Sequence, residues 1–335
     1  MAKFFIICLL VLNTLFASAQ NIRTISIDAG NASLLNLSEI AEKVTPIVLG
    51  ELSGGIQNVL MTSEYLFMAS LSSIVQYNLS GKFIRKINCG GPVTDNLTSD
   101  TIKKELYVPV RDKIKCYDYS GNFKKEYSLK TTSTYCLYHK GVLWVQSYYF
   151  QPDTGNVYII NKINLSTGEI TTLPFEKKDE EPFKTSDGSI LYVSSKCSLN
   201  LYNDEVIASF AFDNSIYKIQ HDKVIPLIKW NITPHANRTD LKPMGANCFI
   251  GEYLFINYRR DDRFYFYLEN MKTGKKFNAT RVIDDIFHTD GDCRIRALNK
   301  TGYFYFIKEN YEIKGGNMGN IPIKNSPVVF IVKTK

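Results

Sequence analysis

The sequence predicts an all-β chain folded as a six-bladed β-propeller, a ring of small sheets in which one blade joins the two ends of the chain. Three observations predict it. Short aromatic and β-branched runs between turn residues recur along the chain, as strands do; Tyr303-Phe304-Tyr305-Phe306 is one, in a chain with 21 Tyr and 20 Phe against 2 Trp. One polar turn returns at the spacing of propeller blades. A strand without a neighbour near the N-terminus matches a blade short of a strand near the C-terminus.

Residues 1–19 hold one basic residue, Lys3, an apolar core at 4–16, and Ala17-Ser18-Ala19 before Gln20. This is the pattern of a secretory leader, with cleavage expected after Ala19. The propeller domain is then 20–335. The leader core is too short to span a bilayer, and no later run approaches the roughly 20 apolar residues a membrane helix needs. The expected product is an exported, soluble protein, periplasmic or extracellular.

Arg23–Asp28 alternates polar and apolar residues and reads as a strand. Ser38 is placed to cap one helical turn, and Thr45-Pro46-Ile47-Val48-Leu49 reads as a short strand. Next come strands at Tyr65–Ala69, 74–77 and 82–87, most of one four-stranded sheet. Their last turn, Asn78-Leu79-Ser80-Gly81, is echoed by Asp118-Tyr119-Ser120-Gly121, by Asn164-Leu165-Ser166-Thr167-Gly168 and by Asn270-Met271-Lys272-Thr273-Gly274. An Asn or Asp side chain that bonds the backbone ahead, followed by a Gly free to take positive φ, is what a tight hairpin requires. A further turn at His221-Asp222-Lys223 halves the one double gap, giving five regularly spaced hairpins. Strands at 295–297, 303–307 and 328–332 make a sixth blade, with Arg23–Asp28 expected as its fourth strand.

Leu35-x-Leu37-Ser38-Glu39-Ile40, Ile47-x-Leu49, Ser80-Gly81-Lys82-Phe83-Ile84, Gly90-Gly91-Pro92, Phe212-Asp213-Asn214-Ser215-Ile216-Tyr217-Lys218-Ile219 and Asn325-Ser326-Pro327-Val328-Val329-Phe330 occur in that order. The set resembles the six-bladed β-propeller family of exported Bacteroidetes proteins across essentially the whole mature chain. The resemblance implies fold and export. It brings no catalytic mechanism, because that family is largely uncharacterised. Its members are often lipoproteins, but no cysteine follows the leader here, so no lipid anchor is expected. The family's Gly-Pro segment tends to continue with an acidic-aromatic pair, where this chain has Val93-Thr94-Asp95.

The formal charge is +7. Cations and acids are interspersed, as in Arg259-Arg260-Asp261-Asp262-Arg263, whereas nucleic-acid binders gather cations on one face. No nucleic-acid partner is expected. Cys8 leaves with the leader; Cys89, Cys116, Cys136, Cys197, Cys248 and Cys293 form no Cys-x-x-Cys pair. Export permits disulfides, but a domain of this size needs no staples, and buried free thiols are expected.

No Gly-x-Ser-x-Gly, His-Glu-x-x-His or P-loop occurs. Asp284-Asp285-Ile286-Phe287-His288-Thr289-Asp290-Gly291-Asp292 offers spaced oxygens and an imidazole, a donor type that suits Ca²⁺ or a transition metal; His288, Asp290 and Asp292 are its candidate ligands. The Glu that would complete a calcium loop is missing, so the expectation is a loop between blades and no cofactor. For ligand contact the candidates are Tyr148 and Tyr149 as an aromatic platform, His235 and Arg238 on a longer loop, and Arg259 at a charged hairpin tip. The function expected is a non-enzymatic, monomeric binding module for a peptide, glycan or envelope protein at one mouth of the ring. Its alternative is a carbohydrate-active hydrolase or lyase. That chemistry requires two carboxylates, or His288 with Asp290, facing the channel within about 10 Å.

Overall fold

The structure is a computed structural model and describes residues 22–50, 55–94, 96–152, 155–178, 183–184, 190–191, 198–210, 213–233, 242–243, 247–260, 263–313 and 326–335. Six sheets form the ring. From axis to rim, blade 1 is Asn58–Met61, Tyr65–Ala69, Ser73–Asn78 and Phe83–Asn88, and blade 2 is Thr98–Asp100, Glu105–Val110, Lys113–Asp118 and Phe123–Ser128. Blade 3 is Thr132–His139, Val142–Gln151, Gly155–Asn164 and Ile170–Thr172; blade 4 is Ser198–Tyr202, Glu205–Ser209, Ser215–Gln220 and Lys223–Thr233. Blade 5 is Cys248–Ile250, Tyr253–Arg260, Arg263–Asn270 and Lys276–Ile283. Blade 6 takes Arg296–Ala297, Tyr303–Lys308 and Val328–Thr334 from the C-terminal end and Ala41–Val48 from the N-terminal end.

The closing strand differs from the expected one. Ala41–Val48 lies antiparallel on Val328–Thr334, with Val48 opposite Val328 and Ala41 opposite Thr334. Arg23–Asp28 instead runs parallel to Lys223–Thr233 on the rim of blade 4, and Ser33–Asn36 runs parallel to Lys276–Ile283 on blade 5. Residues 23–48 are therefore a belt around three consecutive blades. Arg23–Asp28 alternates polar and apolar residues and Ala41–Val48 does not, but Ala41–Val48 leads directly into blade 1, whose first strand starts at Asn58. Strand 23–28 keeps Ile25 and Ile27 buried against blade 4. Belt and blade are tied by ions too: Arg23 reaches Glu269 of blade 5 at 2.5 Å.

The recurrent turns behave as their sequences require. The Asn78, Asp118, Asn164 and Asn270 side chains accept backbone N–H bonds from residues two to four ahead. Gly81, Gly121, Gly168 and Gly274 all have positive φ. The fifth turn has no glycine; His221 and Asp222 take φ 49° and 58°. Leu37–Glu39 is one turn of 3₁₀-helix whose N-cap is Asn36, not Ser38. Ser38 instead ties the belt to Asp285, its N–H donating to Oδ1 at 2.9 Å and its hydroxyl to Oδ2 at 2.5 Å. The described cysteines, Cys89, Cys116, Cys136, Cys248 and Cys293, are buried and free.

Consecutive inner strands run in the same direction. Between blades 2 and 3, Asn96 bonds Cys136 and Thr98 bonds Tyr138; between blades 4 and 5, Ser198 bonds Asn247 and Asn200 bonds Phe249; between blades 6 and 1, Arg296 bonds Gln57 and Asn299 bonds Met61. The first hairpin turns of adjacent blades consequently meet at one end of the ring, where Glu64 pairs with Lys104 at 2.6 Å and Lys140 pairs with Asp204.

Gly81 does more than turn. A Cβ there would lie 1.9 Å from the Val48 carbonyl oxygen, on the strand that closes the ring, whereas Gly168 and Gly274 have open space. Overpacking on backbone adds to left-handed strain. Gly81→Ala is expected to cost about 3 kcal/mol or more and Gly168→Ala or Gly274→Ala about 1 kcal/mol each, measured by urea unfolding; equal losses at the three positions would contradict the docking role.

Candidate functional site

Inner strands have a neighbour on one side only, and their second edge faces the next blade near the axis. Buried backbone groups must be paired, and here short polar side chains do it. Asn96 Nδ2 donates to Cys136 O at 2.9 Å and Asn200 Nδ2 to Phe249 O at 2.7 Å. Asn299 both accepts from Met61 N at 2.8 Å and donates to Met61 O at 3.0 Å. The wall so formed surrounds a cavity of about 60 Å³ within about 610 Å³ of space reaching solvent beside residues 299–302. All six blades contribute to it. Its described lining contains asparagines, leucines and aromatic rings, one ammonium from Lys300, and no carboxylate or imidazole. The paired acids of a hydrolase are not present among these residues. Cys136 borders the cavity, but its thiol is buried on Tyr107 O at 3.7 Å, and burial pushes it well up, away from reactivity.

The two ends of the ring differ. One carries short turns such as 62–64, 203–204 and 251–252; the other carries the described connections between blades, 129–131 and 284–295 among them. Four large apolar side chains stand exposed toward that second end, Leu71 at 74%, Phe150 at 57%, Phe264 at 65% and Tyr311 at 71%. Binding groups concentrate on loops held by rigid scaffolds.

The expected site residues are dispersed. Tyr148 and Tyr149 are consecutive in one strand and project to opposite faces: Tyr148 packs toward the core between blades 3 and 4, 6.2 Å from the Tyr158 ring, while Tyr149 Oη donates to Glu176 at 3.0 Å. They do not form one platform. His235 and Arg238 lie outside the described residues. Arg259 is paired through its backbone with Lys242 and Phe264, and its side chain also lies outside what is described. Asp153, Cys197 and the 1–19 leader are outside as well.

His288, Asp290 and Asp292 are not gathered as a donor set; among the described residues no three His, Cys, Asp or Glu side chains are placed to hold a metal. The acids of this loop serve the backbone instead. Asp284 accepts from Ile286 N, Phe287 N and the Thr289 hydroxyl, and Asp292 accepts from Val282 N at 2.9 Å, while burial pushes its carboxyl up. The loop does enclose a cation, and it is Lys308. That ammonium is fully buried, donates to the carbonyls of Asp290 and Asp292 at 2.5 and 3.1 Å, and lies 3.7 Å from Glu312. Removing it would strand two carbonyls and a carboxylate. Lys308→Met is expected to lose about 3 kcal/mol in urea unfolding, whereas EDTA leaves the Tm of the wild type unchanged; a Tm drop on chelation would show a metal in this loop.

His139 ends the inner strand of blade 3, with Asp204 3.6 Å away and Lys140 beside it. Burial holds its pKa below the ordinary value; Asp204 opposes this and Lys140 adds to it. A histidine held neutral by folding stabilises above its unfolded pKa of about 6.5, and that stability is lost as pH falls below it. Tm is expected to fall between about pH 7 and pH 5.5, with a smaller fall in His139→Gln; identical curves would remove His139 from the account.

The axial asparagines were not found by sequence reasoning. Asn58, Asn96, Asn200 and Asn299 sit at or beside the inner strands of four different blades. The signal for them is an Asn entering or leaving the first strand of a repeat, weak because the turns of three blades also begin with Asn.

A family model described as a domain of unknown function (DUF4934) matches residues 22–327. Among solved structures, a candidate exported protein from Bacteroides fragilis superposes with a TM-score of 0.65 at 15% identity, covering 94% of this chain and 100% of that one; the likeness shows the fold. A luciferin-regenerating enzyme gives a TM-score of 0.48 at 10% identity over 88% and 97% of the two chains, and BamB from Moraxella catarrhalis 0.45 at 14% over 85% and 80%. A search of curated proteins finds no match.

Proposed function

The chain belongs to the DUF4934 family, and from that premise we propose that it is an exported, non-enzymatic binding module. It captures a peptide or glycan-bearing envelope partner with the loop-bearing mouth of the ring, in the periplasm or outside the cell. The observation that carries this reading is a set of exposed apolar side chains at the end where the blades are connected. The described connections between blades and the exposed side chains of Leu71, Phe150, Phe264 and Tyr311 share one end, and exposed apolar groups on a rigid face favour partner contact. The leader pattern at 1–19 supports export, as does the fold shared with the Bacteroides fragilis protein. No helix among the described residues is long and apolar enough to cross a membrane. The described lining of the axial cavity, without carboxylate or imidazole, supports binding over paired-acid catalysis.

The test compares the two ends. Cross-linking and pull-down from the cell envelope, with a glycan array beside it, are run on wild type, on Leu71→Ser/Phe264→Ser/Tyr311→Ser, and on Ile102→Ser at the short-turn end, where Ile102 is 92% exposed. The triple variant is expected to lose at least tenfold in capture with its Tm unchanged, and Ile102→Ser to keep it. Equal capture by all three proteins, or turnover of a substrate by the wild type, would overturn the reading.

A further inference from the structure

We propose that the corner where the short-turn end meets the rim of blades 1 and 2 is a docking surface for an anionic lipid leaflet. This goes beyond the loop-borne reading, uses a different surface and does not depend on it. Three observations carry the inference.

The first is charge. The rim strand of blade 1, Phe83–Asn88, carries Arg85 and Lys86 with no acid, and Lys82 stands in the turn before it. The rim strand of blade 2, Phe123–Ser128, carries Lys124 and Lys125 against Glu126. The acids nearby are committed: Glu126 to Lys113, Glu105 to Lys124, and Asp118 to the backbone of its own turn. Lys82 and Lys86 are exposed and make no ion pair with another described residue. Ammonium groups left without acids attract an anionic surface, and each one brought near such a leaflet strengthens adsorption about fivefold.

The second is apolar surface set among these cations. Leu79 is 42% exposed, Phe83 37% and Phe123 55%. Phe83 and Phe123 hold the same place in successive blades, each opening a rim strand edge-on to a tyrosine of the neighbouring strand, Tyr77 at 6.1 Å and Tyr117 at 5.8 Å. Cations on a rim strand guard a sheet edge, but guarding gives no reason for an exposed phenylalanine beside them. A bilayer interface takes both, apolar side chains at the acyl boundary and ammonium groups among the phosphates.

The third is continuity. Arg85 of blade 1 donates to Ser120 O in the turn of blade 2, and Gly121 lies so close that a Cβ there would be 3.0 Å from Ile87. That turn belongs to the short-turn end, where Tyr119 N donates to Lys104 O of the first hairpin turn at 3.1 Å. The two turns therefore present one surface. Its apolar side chains stand on separate blades, which suits a fluid leaflet better than the single pocket that holds a protein anchor. An acidic polysaccharide would pair with the ammonium groups and leave Leu79 in water. Docked by this corner, the ring turns its loop-bearing end away from the membrane.

The purified mature protein is cosedimented with vesicles of phosphatidylcholine alone and of phosphatidylcholine with an equal part of phosphatidylglycerol. It is expected to bind the anionic vesicles at least tenfold more tightly and to lose most of that preference in molar salt, where screening acts within about 3 Å. Lys82→Gln/Lys86→Gln removes two unpaired cations and is expected to weaken binding tenfold or more with Tm unchanged. Leu79→Ser/Phe123→Ser is expected to weaken it several-fold at every salt concentration. The lysine variant decides the matter alone if the apolar variant does not fold. Leu71→Ser/Phe264→Ser/Tyr311→Ser, at the opposite end, is expected to bind vesicles as the wild type does, so failure here and failure of the partner reading are distinguishable. Equal binding to both vesicles, binding unaffected by Lys82→Gln/Lys86→Gln, or capture by immobilised polygalacturonate with none by vesicles would each overturn the proposal.

Discussion

The ring depends on the ladder between Ala41–Val48 and Val328–Thr334. It joins segments separated by nearly the whole chain, and closing so long a loop costs about 5 kcal/mol in the Jacobson–Stockmayer approximation, before any constant term. The ladder offsets this by burial as well as by hydrogen bonds. Val328, Val329, Phe330 and Val332 are fully buried, and Phe330 stacks on Phe306 with ring centroids 4.7 Å apart. Where Lys43 meets Lys333 across a bulge, Glu42 turns to Lys333 at 2.7 Å, relieving a like-charge pair. The closing strand is also a foundation: Gly81 of blade 1 rests on Val48. Closure and first blade are one packed unit.

Sheet edges explain why the N-terminal segment travels so far before closing. A rim strand presents unpaired N–H and C=O groups to any passing strand. The belt removes that edge from blades 4 and 5 by parallel addition. Blades 1 and 2 are protected by composition instead: Phe83–Asn88 carries Arg85 and Lys86, and Phe123–Ser128 carries Lys124 and Lys125. Cations on an edge strand discourage pairing with another sheet. Two solutions to one problem are divided between the halves of the ring.

The fold was legible because its signals are local. Each Asn or Asp with its following Gly specifies a turn through contacts within five residues, and four such turns set the period of the ring. Strand identity at the closure was not legible. Arg23–Asp28 alternates polar and apolar residues and Ala41–Val48, with Glu42-Lys43 and Pro46-Ile47-Val48 in a row, does not, so alternation favoured the wrong one, and what decides is which distant edge each one meets. The described candidate residues are dispersed for the same reason in another form. Asp284, Asp285 and Asp292 have the composition of a cation loop, but their partners are Thr289, Ser38 and Val282, and the cation they surround comes from Lys308, beyond the loop. Tyr148 and Tyr149 looked like a pair only in one dimension; in a strand, adjacency places them on opposite faces.

The axial asparagines answer a demand of the architecture. An inner strand must have its second edge satisfied by groups short enough to cross to the next blade and polar enough to replace a missing strand. Asparagine meets both demands, since one carboxamide supplies a donor and an acceptor. When the donor is committed to the neighbouring blade, as Asn200 Nδ2 is to Phe249 O, the acceptor is left over and points away from that bond. The described wall around the axis is thereby lined by amide groups and apolar side chains, with the Lys300 ammonium at its edge. A surface made this way holds the inner strands across blades by single carboxamides where a continuous ladder would otherwise be needed.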